Sequence, residues 1–133
     1  MTRRGLAVTI AASLLLGACA SAPQRPVRTE FEDIPVPKGL DYRADDSTVV
    51  ETPNVKAVRY VYRGRLEPES LATAIRSTLE ANGWRHVSST KSAGVGATQV
   101  YEKEGDSLQL RLWEGIWFTY AEYTTGRVVK RPK

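Results

Sequence analysis

One amphipathic helix set among strand-like segments is the feature that most limits what this chain can fold into. From Glu67 the sequence reads Glu-Pro-Glu-Ser, after which Leu71, Ala74, Ile75, Thr78 and Leu79 recur at three- and four-residue spacing, which gives a helix one apolar stripe. Proline suits the first helical position, where its missing N–H costs nothing, and acidic side chains suit the positive end of the helix dipole. Arg76 and Glu80 lie four apart on the other side, and Asn82-Gly83 supplies the stop, with Gly83 free to take the left-handed conformation that ends helices. A helix with one apolar face needs a flat apolar surface to cover it.

That surface is predicted in strands. Val55 to Arg63 alternates, with Val58, Tyr60 and Tyr62 on one side and Ala57, Arg59, Val61 and Arg63 on the other, and Gly64 ends it. Ser47 to Glu51 is a shorter candidate. Trp84 to Ser89 follows the helix, and Ser92 to Ala97 is a small-residue loop. Thr98 to Lys103 and Ser107 to Trp113 form the clearest hairpin, joined by Glu104-Gly105-Asp106. In its second arm Leu108, Leu110 and Leu112 alternate with Gln109, Arg111 and Trp113, the cleanest half-buried pattern in the chain. Glu114-Gly115 then turns into a strand over Trp117 to Thr125. The order predicts an α+β fold, a small antiparallel sheet of about 4–5 strands covered on one face by a single helix. Leu71, Ile75 and Leu79 are expected to pack on Leu108, Leu110 and Leu112.

The N-terminus has a different character. Thr2, Arg3 and Arg4 form a short basic region, and Leu6 to Leu16 is an apolar run interrupted only by Thr9 and Ser13. A permanent span of about 30 Å of hydrocarbon needs roughly 20 apolar residues, so this run reads as the core of a signal peptide. Leu16-Gly17-Ala18-Cys19 resembles the lipobox of bacterial lipoproteins. The resemblance implies removal of residues 1–18 and a mature chain that begins at a lipidated Cys19. Ala20, where an aspartate would favour retention in the inner membrane, implies the periplasmic face of the outer membrane in a host that has one. Residues 19–38 are expected to be a tether extended by Pro23, Pro26, Pro35 and Pro37, and residues 39–133 a single domain. Phe31, Ile34, Val36 and Leu40 fall within ten residues, a density that favours a strap laid along the domain edge. Glu-Asp-Ile-Pro-Val-Pro at 32–37, Tyr-Arg-Gly-Arg-Leu-Glu-Pro-Glu-Ser-Leu at 62–71 and Asn82-Gly83-Trp84 are similar to the punctuation of small bacterial envelope lipoproteins. That second resemblance implies architecture and carries no catalytic residue.

The inventory of reactive groups is short. Cys19 is the one cysteine, which excludes an intrachain disulfide and a cysteine-cluster metal site. His86 is the one histidine, so no histidine pair or zinc triad can be assembled, and it reads as a strand residue near the sheet surface. Asp45-Asp46 and the set Glu102, Glu104 and Asp106 lack the spacing of a calcium loop. Gly94-Val95-Gly96 is followed by neither a lysine-serine pair nor a long helix, as a phosphate loop requires. The whole chain carries a formal charge of +4, and loss of Arg3 and Arg4 with the signal peptide leaves +2, too slight an excess to imply nucleic acid. No catalytic residue, cofactor or metal is expected.

The aromatic residues Trp113, Trp117, Phe118, Tyr120 and Tyr123 fall within eleven positions. Alternation places Trp117 and Tyr123 on one face and Phe118 and Tyr120 on the other. Trp113 is out of phase with the three leucines and so belongs on the uncovered face with one of those pairs, the register leaving both open. Exposed aromatics offer large contact area at low entropy cost. The expectation is a lipid-anchored, non-enzymatic envelope module, held to a membrane by its N-terminal lipid, that binds an envelope protein or a second copy of itself, or supports an assembly. The alternatives are a small envelope hydrolase using acidic residues around Glu102, Glu114 or Glu122, and a small-ligand carrier or sensor.

Overall fold

Helix α1 (Pro68–Ala81) is closed at both ends by residues that its sequence advertises. The Glu67 carboxylate accepts hydrogen bonds from the backbone N–H groups of Glu69 and Ser70 at 2.9 and 2.7 Å. These bonds hold its pKa below the usual carboxylate range. At the other end Trp84 N–H donates to Leu79 O at 3.0 Å and Gly83 N–H to Glu80 O at 3.1 Å, with Gly83 at φ 87°. This pair of bonds is the Schellman arrangement, in which an apolar residue after the glycine folds back on the last turn. Here that residue is Trp84, buried in the same core cluster as Leu79. The computed structural model describes residues 31, 33–94 and 96–129. Cys19 with its lipobox, the tether up to residue 30, Val95 and the tail from residue 130 lie outside the described residues.

Seven strands form one antiparallel sheet among the described residues: β1 (Asp41–Tyr42), β2 (Thr48–Glu51), β3 (Val55–Gly64), β4 (Arg85–Ser92), β5 (Gly96–Lys103), β6 (Asp106–Glu114) and β7 (Thr119–Val128). Across the sheet the order is β3, β7, β6, β5, β4, with β1 and β2 both on the outer edge of β3. The five long strands match the expected size of the sheet, and the surplus is an edge broken in two. Between β1 and β2 the chain detours through a short 3-10 turn, Ala44–Asp46. Arg43 N–H donates to Val61 O at 2.8 Å and the Ser47 hydroxyl accepts from Val61 N–H at 3.0 Å, so the detour leaves the backbone of β3 satisfied.

The register explains the core. Leu108 lies between Tyr101 and Thr125, Leu110 between Gln99 and Tyr123, and Leu112 between Ala97 and Ala121. All three leucines are buried in one cluster with Leu71, Ile75 and Leu79 of α1, as the two periodicities predict. Each such side chain contributes about 1.5–3 kcal/mol by leaving water. The β5–β6 hairpin is tighter than predicted: Lys103 pairs with Asp106, so the loop is Glu104-Gly105 alone, with φ of 50° and 86°. Two residues with positive φ match the right-handed twist of the arms they join.

One helix cannot span the whole face. α1 lies over β4 and β6, while Phe31 and Ile34 are buried in the cluster and Val36 and Leu40 pack against it. The stretch from Phe31 to Leu40 is therefore a strap. It starts beside Arg127 of β7, whose guanidinium sits 5.4 Å from the Phe31 ring centroid, and ends where Gly39 and Leu40 press on Gly64 of β3. Packing thus begins by Phe31, ahead of the position 39 at which the composition placed the domain boundary.

Candidate functional site

The sheet face turned away from α1 is polar over most of its area and changes character at one end. In its middle, Arg59 of β3 pairs with Glu122 of β7, with N–O distances of 2.9 and 2.7 Å. Toward the β6–β7 turn, Trp113 lies opposite Tyr120, and the two rings stack at 5.3 Å with planes 5° apart. Arg111 sits 5.3 Å above Trp113, while Arg63 and Arg65 lie 4.3 and 5.4 Å from the Phe118 ring. Such cation–π contacts fix a guanidinium without neutralising it. Arg63, Arg65 and Arg111 form no ion pair among the described residues. Of the two partner pairs left open for Trp113, the register selects the one with Tyr120, and Phe118, in the turn before β7, reaches the same end of the sheet through its contact with Arg63.

Two of the five aromatics belong elsewhere. Tyr123 faces Leu110 and Tyr60 on the helix side, is 1% exposed, and meets Tyr62 edge-on at 5.4 Å. It is a core residue and contributes nothing to a contact surface. Its hydroxyl has no hydrogen-bond partner among the described residues, and burial drives its pKa well above the ordinary tyrosine value. Trp117 lies in neither face, because β7 starts two residues later than the pattern predicts, at Thr119. Gly115 N–H donates to Phe118 O at 2.7 Å and closes the hairpin, leaving Ile116 and Trp117 as its tip, 92% and 76% exposed. Ile116 escapes a search for aromatics. Its signal is an isoleucine-tryptophan pair where a hairpin turn normally carries Gly, Asn, Asp, Pro or Ser. A cleft of about 310 Å³ beside the tip is lined by Arg65, Leu66, Phe118 and a single carboxylate, Glu114.

The remaining titratable groups are dispersed. Glu102 pairs with Arg85, Asp106 with Arg127, and Asp46 with Arg43. Glu102, Glu114 and Glu122 stand on three different strands opposite Ser107, Thr119 and Arg111, so no two of them face each other. His86 Nε2 lies 2.7 Å from Ser89 Oγ, and its ring meets Tyr101 edge-on at 5.4 Å. An open groove of about 1400 Å³ separates the start of α1 from the β4–β5 hairpin, with the Lys91–Glu69 ion pair at its rim. Among the described residues, no group of three His, Cys, Asp or Glu side chains could hold a metal ion, and no helix is long and apolar enough to cross a membrane. Comparison with family models, curated proteins and solved structures finds no match to the chain.

Proposed function

We propose that this protein is a lipid-anchored, non-enzymatic module of the cell envelope that binds another envelope component through the β6–β7 end of its sheet. Anchoring rests on the lipobox Leu16-Gly17-Ala18-Cys19, which supports lipid on Cys19, and Ala20 after it supports the periplasmic face of the outer membrane in a host that has one. Binding rests on one observation, the exposure of Ile116 and Trp117 on a closed hairpin. A single exposed apolar residue is ordinary. Two adjacent ones, held out by a hydrogen-bonded turn and flanked by arginines with no ion pair among the described residues, form the kind of amphipathic surface that other molecules bury.

Two measurements test the reading. Replacing Cys19 with Ser removes the sulfur that accepts the lipid, so mass spectrometry should find only unacylated chain. Acylated mature protein from that variant would refute the anchor. For the contact, a photoreactive side chain at position 117 should crosslink in intact cells, while the same group at the exposed strand position Gln109 should not. Equal labelling from both positions would remove the case for a dedicated surface.

A further inference from the structure

We propose that the component met by the β6–β7 tip is the anionic phospholipid surface of the membrane that carries the chain. The protein would then be held at two points, by the lipid on Cys19 and by shallow insertion of Ile116 and Trp117 between phosphate-bound arginines. The inference rests on the lipid-anchor reading and deepens it.

Three observations favour a lipid surface over a protein partner. The first is chemistry. Indole rings settle at the boundary between headgroups and acyl chains, an adjacent isoleucine adds an apolar wedge, and guanidinium groups bind phosphate oxygens with two parallel hydrogen bonds. Arg63 and Arg65 are held at the base of the tip by Phe118 and carry no ion pair among the described residues. Among the described residues, Glu114 is the one carboxylate lining the cleft that Arg65 shares with the tip.

The second is shape. A standard protein interface engages about 20–30 residues and about 800 Å² on each side. Here the strongly exposed apolar part of the hairpin is a two-residue turn, too small by itself for such an interface but sufficient for a bilayer, which needs no matching relief. A weak contact is enough once a lipid already holds the domain nearby, because the second contact is then intramolecular.

The third is reach. Phe31 sits against Arg127 at the end of β7 farthest from the tip. A strand of that length spans about 33 Å at roughly 3.3 Å per residue. Eleven residues separate Cys19 from Phe31, enough for a maximum of about 40 Å at roughly 3.3–3.6 Å each. The connecting chain is thus long enough for the domain to turn its tip onto the bilayer that anchors it.

The test uses the mature lipoprotein reconstituted into vesicles of phosphatidylethanolamine and phosphatidylglycerol doped with a bromine-labelled phospholipid, a contact quencher of tryptophan. Wild-type protein should show a blue-shifted emission component quenched by the bromine label. That component should vanish in Trp117→Phe, which retains Trp84 and Trp113, and should fall at least twofold in Ile116→Ser, in Arg65→Glu and in vesicles of phosphatidylcholine alone. All three substituted residues are exposed, so circular dichroism should be unchanged. The proposal is overturned if the Trp117 emission is as open to aqueous iodide in vesicles as in detergent and the label leaves it unquenched. Protection that develops only on addition of a purified envelope protein would also overturn it, in favour of that protein. Mass spectrometry of the same sample reads acylation of Cys19 separately. If acylation is absent the anchor reading fails, while quenching on addition of vesicles to the unacylated chain still decides the role of the tip.

Discussion

Replacing Gly64 with alanine should dislodge the strap without disturbing the sheet. Gly64 ends β3 with φ outside the left-handed region, so its backbone conformation would accept any residue. What requires glycine is space. A Cβ at this position would lie 2.3 Å from the carbonyl oxygen of Gly39 and 3.1 Å from a Leu40 methyl group. A relaxed C···O approach is about 3.3–3.6 Å, so the strap backbone has to lift by about 1 Å, and a main-chain oxygen cannot rotate away. Overpacking of this kind costs about 1–3 kcal/mol. Alanine also narrows the unfolded ensemble, which returns about 0.4–1 kcal/mol, leaving an expected net loss of about 1–2 kcal/mol. Complete release of the strap would cost more, because Phe31 and Ile34 would each forfeit about 1.5–3 kcal/mol of burial. The internal control is Gly126→Ala in β7, where the new methyl group would meet Ala57 at an ordinary 3.6 Å. Urea melts should separate the two variants, and trypsin should cut Gly64→Ala faster after Lys38. Superimposable melts would show that the strap does not bear on Gly64, and the argument from close approach would fail.

Other perturbations probe the core. Leu110→Ala removes a fully buried side chain between Gln99 and Tyr123 and should cost about 2–5 kcal/mol; a loss below about 1 kcal/mol in denaturant melts would mean the site is not packed as described. Tyr123→Phe deletes a buried hydroxyl that has no partner among the described residues, and since an unmade hydrogen bond costs about 1–3 kcal/mol, the variant should equal or exceed the wild type in thermal stability. A clear drop in its melting temperature would place a bonding partner at that oxygen. Burial pushes Tyr62 and Tyr101 up to about 12, whereas an unfolded tyrosine ionises near 10. Between those values the unfolded chain releases protons that the folded one keeps, so stability is full below pH about 10 and declines toward pH about 12. Urea midpoints across that range should fall, and a flat profile would count against burial of these phenols.

The elements that could be read from the sequence are those whose environment differs between their two sides. α1 has a wet and a dry face and β6 has a dry face built of leucines, so periods of 3.6 and 2 reveal both. β2 and most of β4 are exposed along their length; the sequence places both as short strands, over Ser47 to Glu51 and Trp84 to Ser89, but with no alternation to follow it ends the second three residues short of Ser92. The edge strand β1 is shorter still, and its pairing with β3 depends on a detour whose hydrogen bonds come from Ser47 and Arg43. The strap was legible because four apolar side chains crowd ten residues that otherwise hold prolines and charges. The aromatic set was legible as a composition but not as a place. Counting alternation from Trp117 gives Trp117 and Tyr123 a common face, yet residues 115–118 form a turn, and a turn carries no strand parity across it. Tyr123 then falls into the core through its pairing with Leu110, a long-range fact.

The same turn decides which aromatics frame the site and which meet a partner. Trp113 and Tyr120 are half-buried and lie face to face, so each already spends one side of its ring on the other, a contact worth about 0.5–1.5 kcal/mol beyond area burial. Gly115 makes room for this stack, since a Cβ there would come within 2.8 Å of the Tyr120 ring. Phe118 is likewise occupied, by Arg63 and Arg65. These rings therefore brace the base of the hairpin and aim the arginines, leaving Ile116 and Trp117 as the side chains with free surface. On the reading proposed above, Trp113→Ser would weaken binding indirectly, by loosening the base, whereas Trp117→Ser would remove contact area outright while sparing the fold. A hairpin with a polar turn in place of Ile116-Trp117 would keep every brace and lose the apolar contact, which places that contact in two residues and its geometry in Trp113, Gly115, Phe118 and Tyr120.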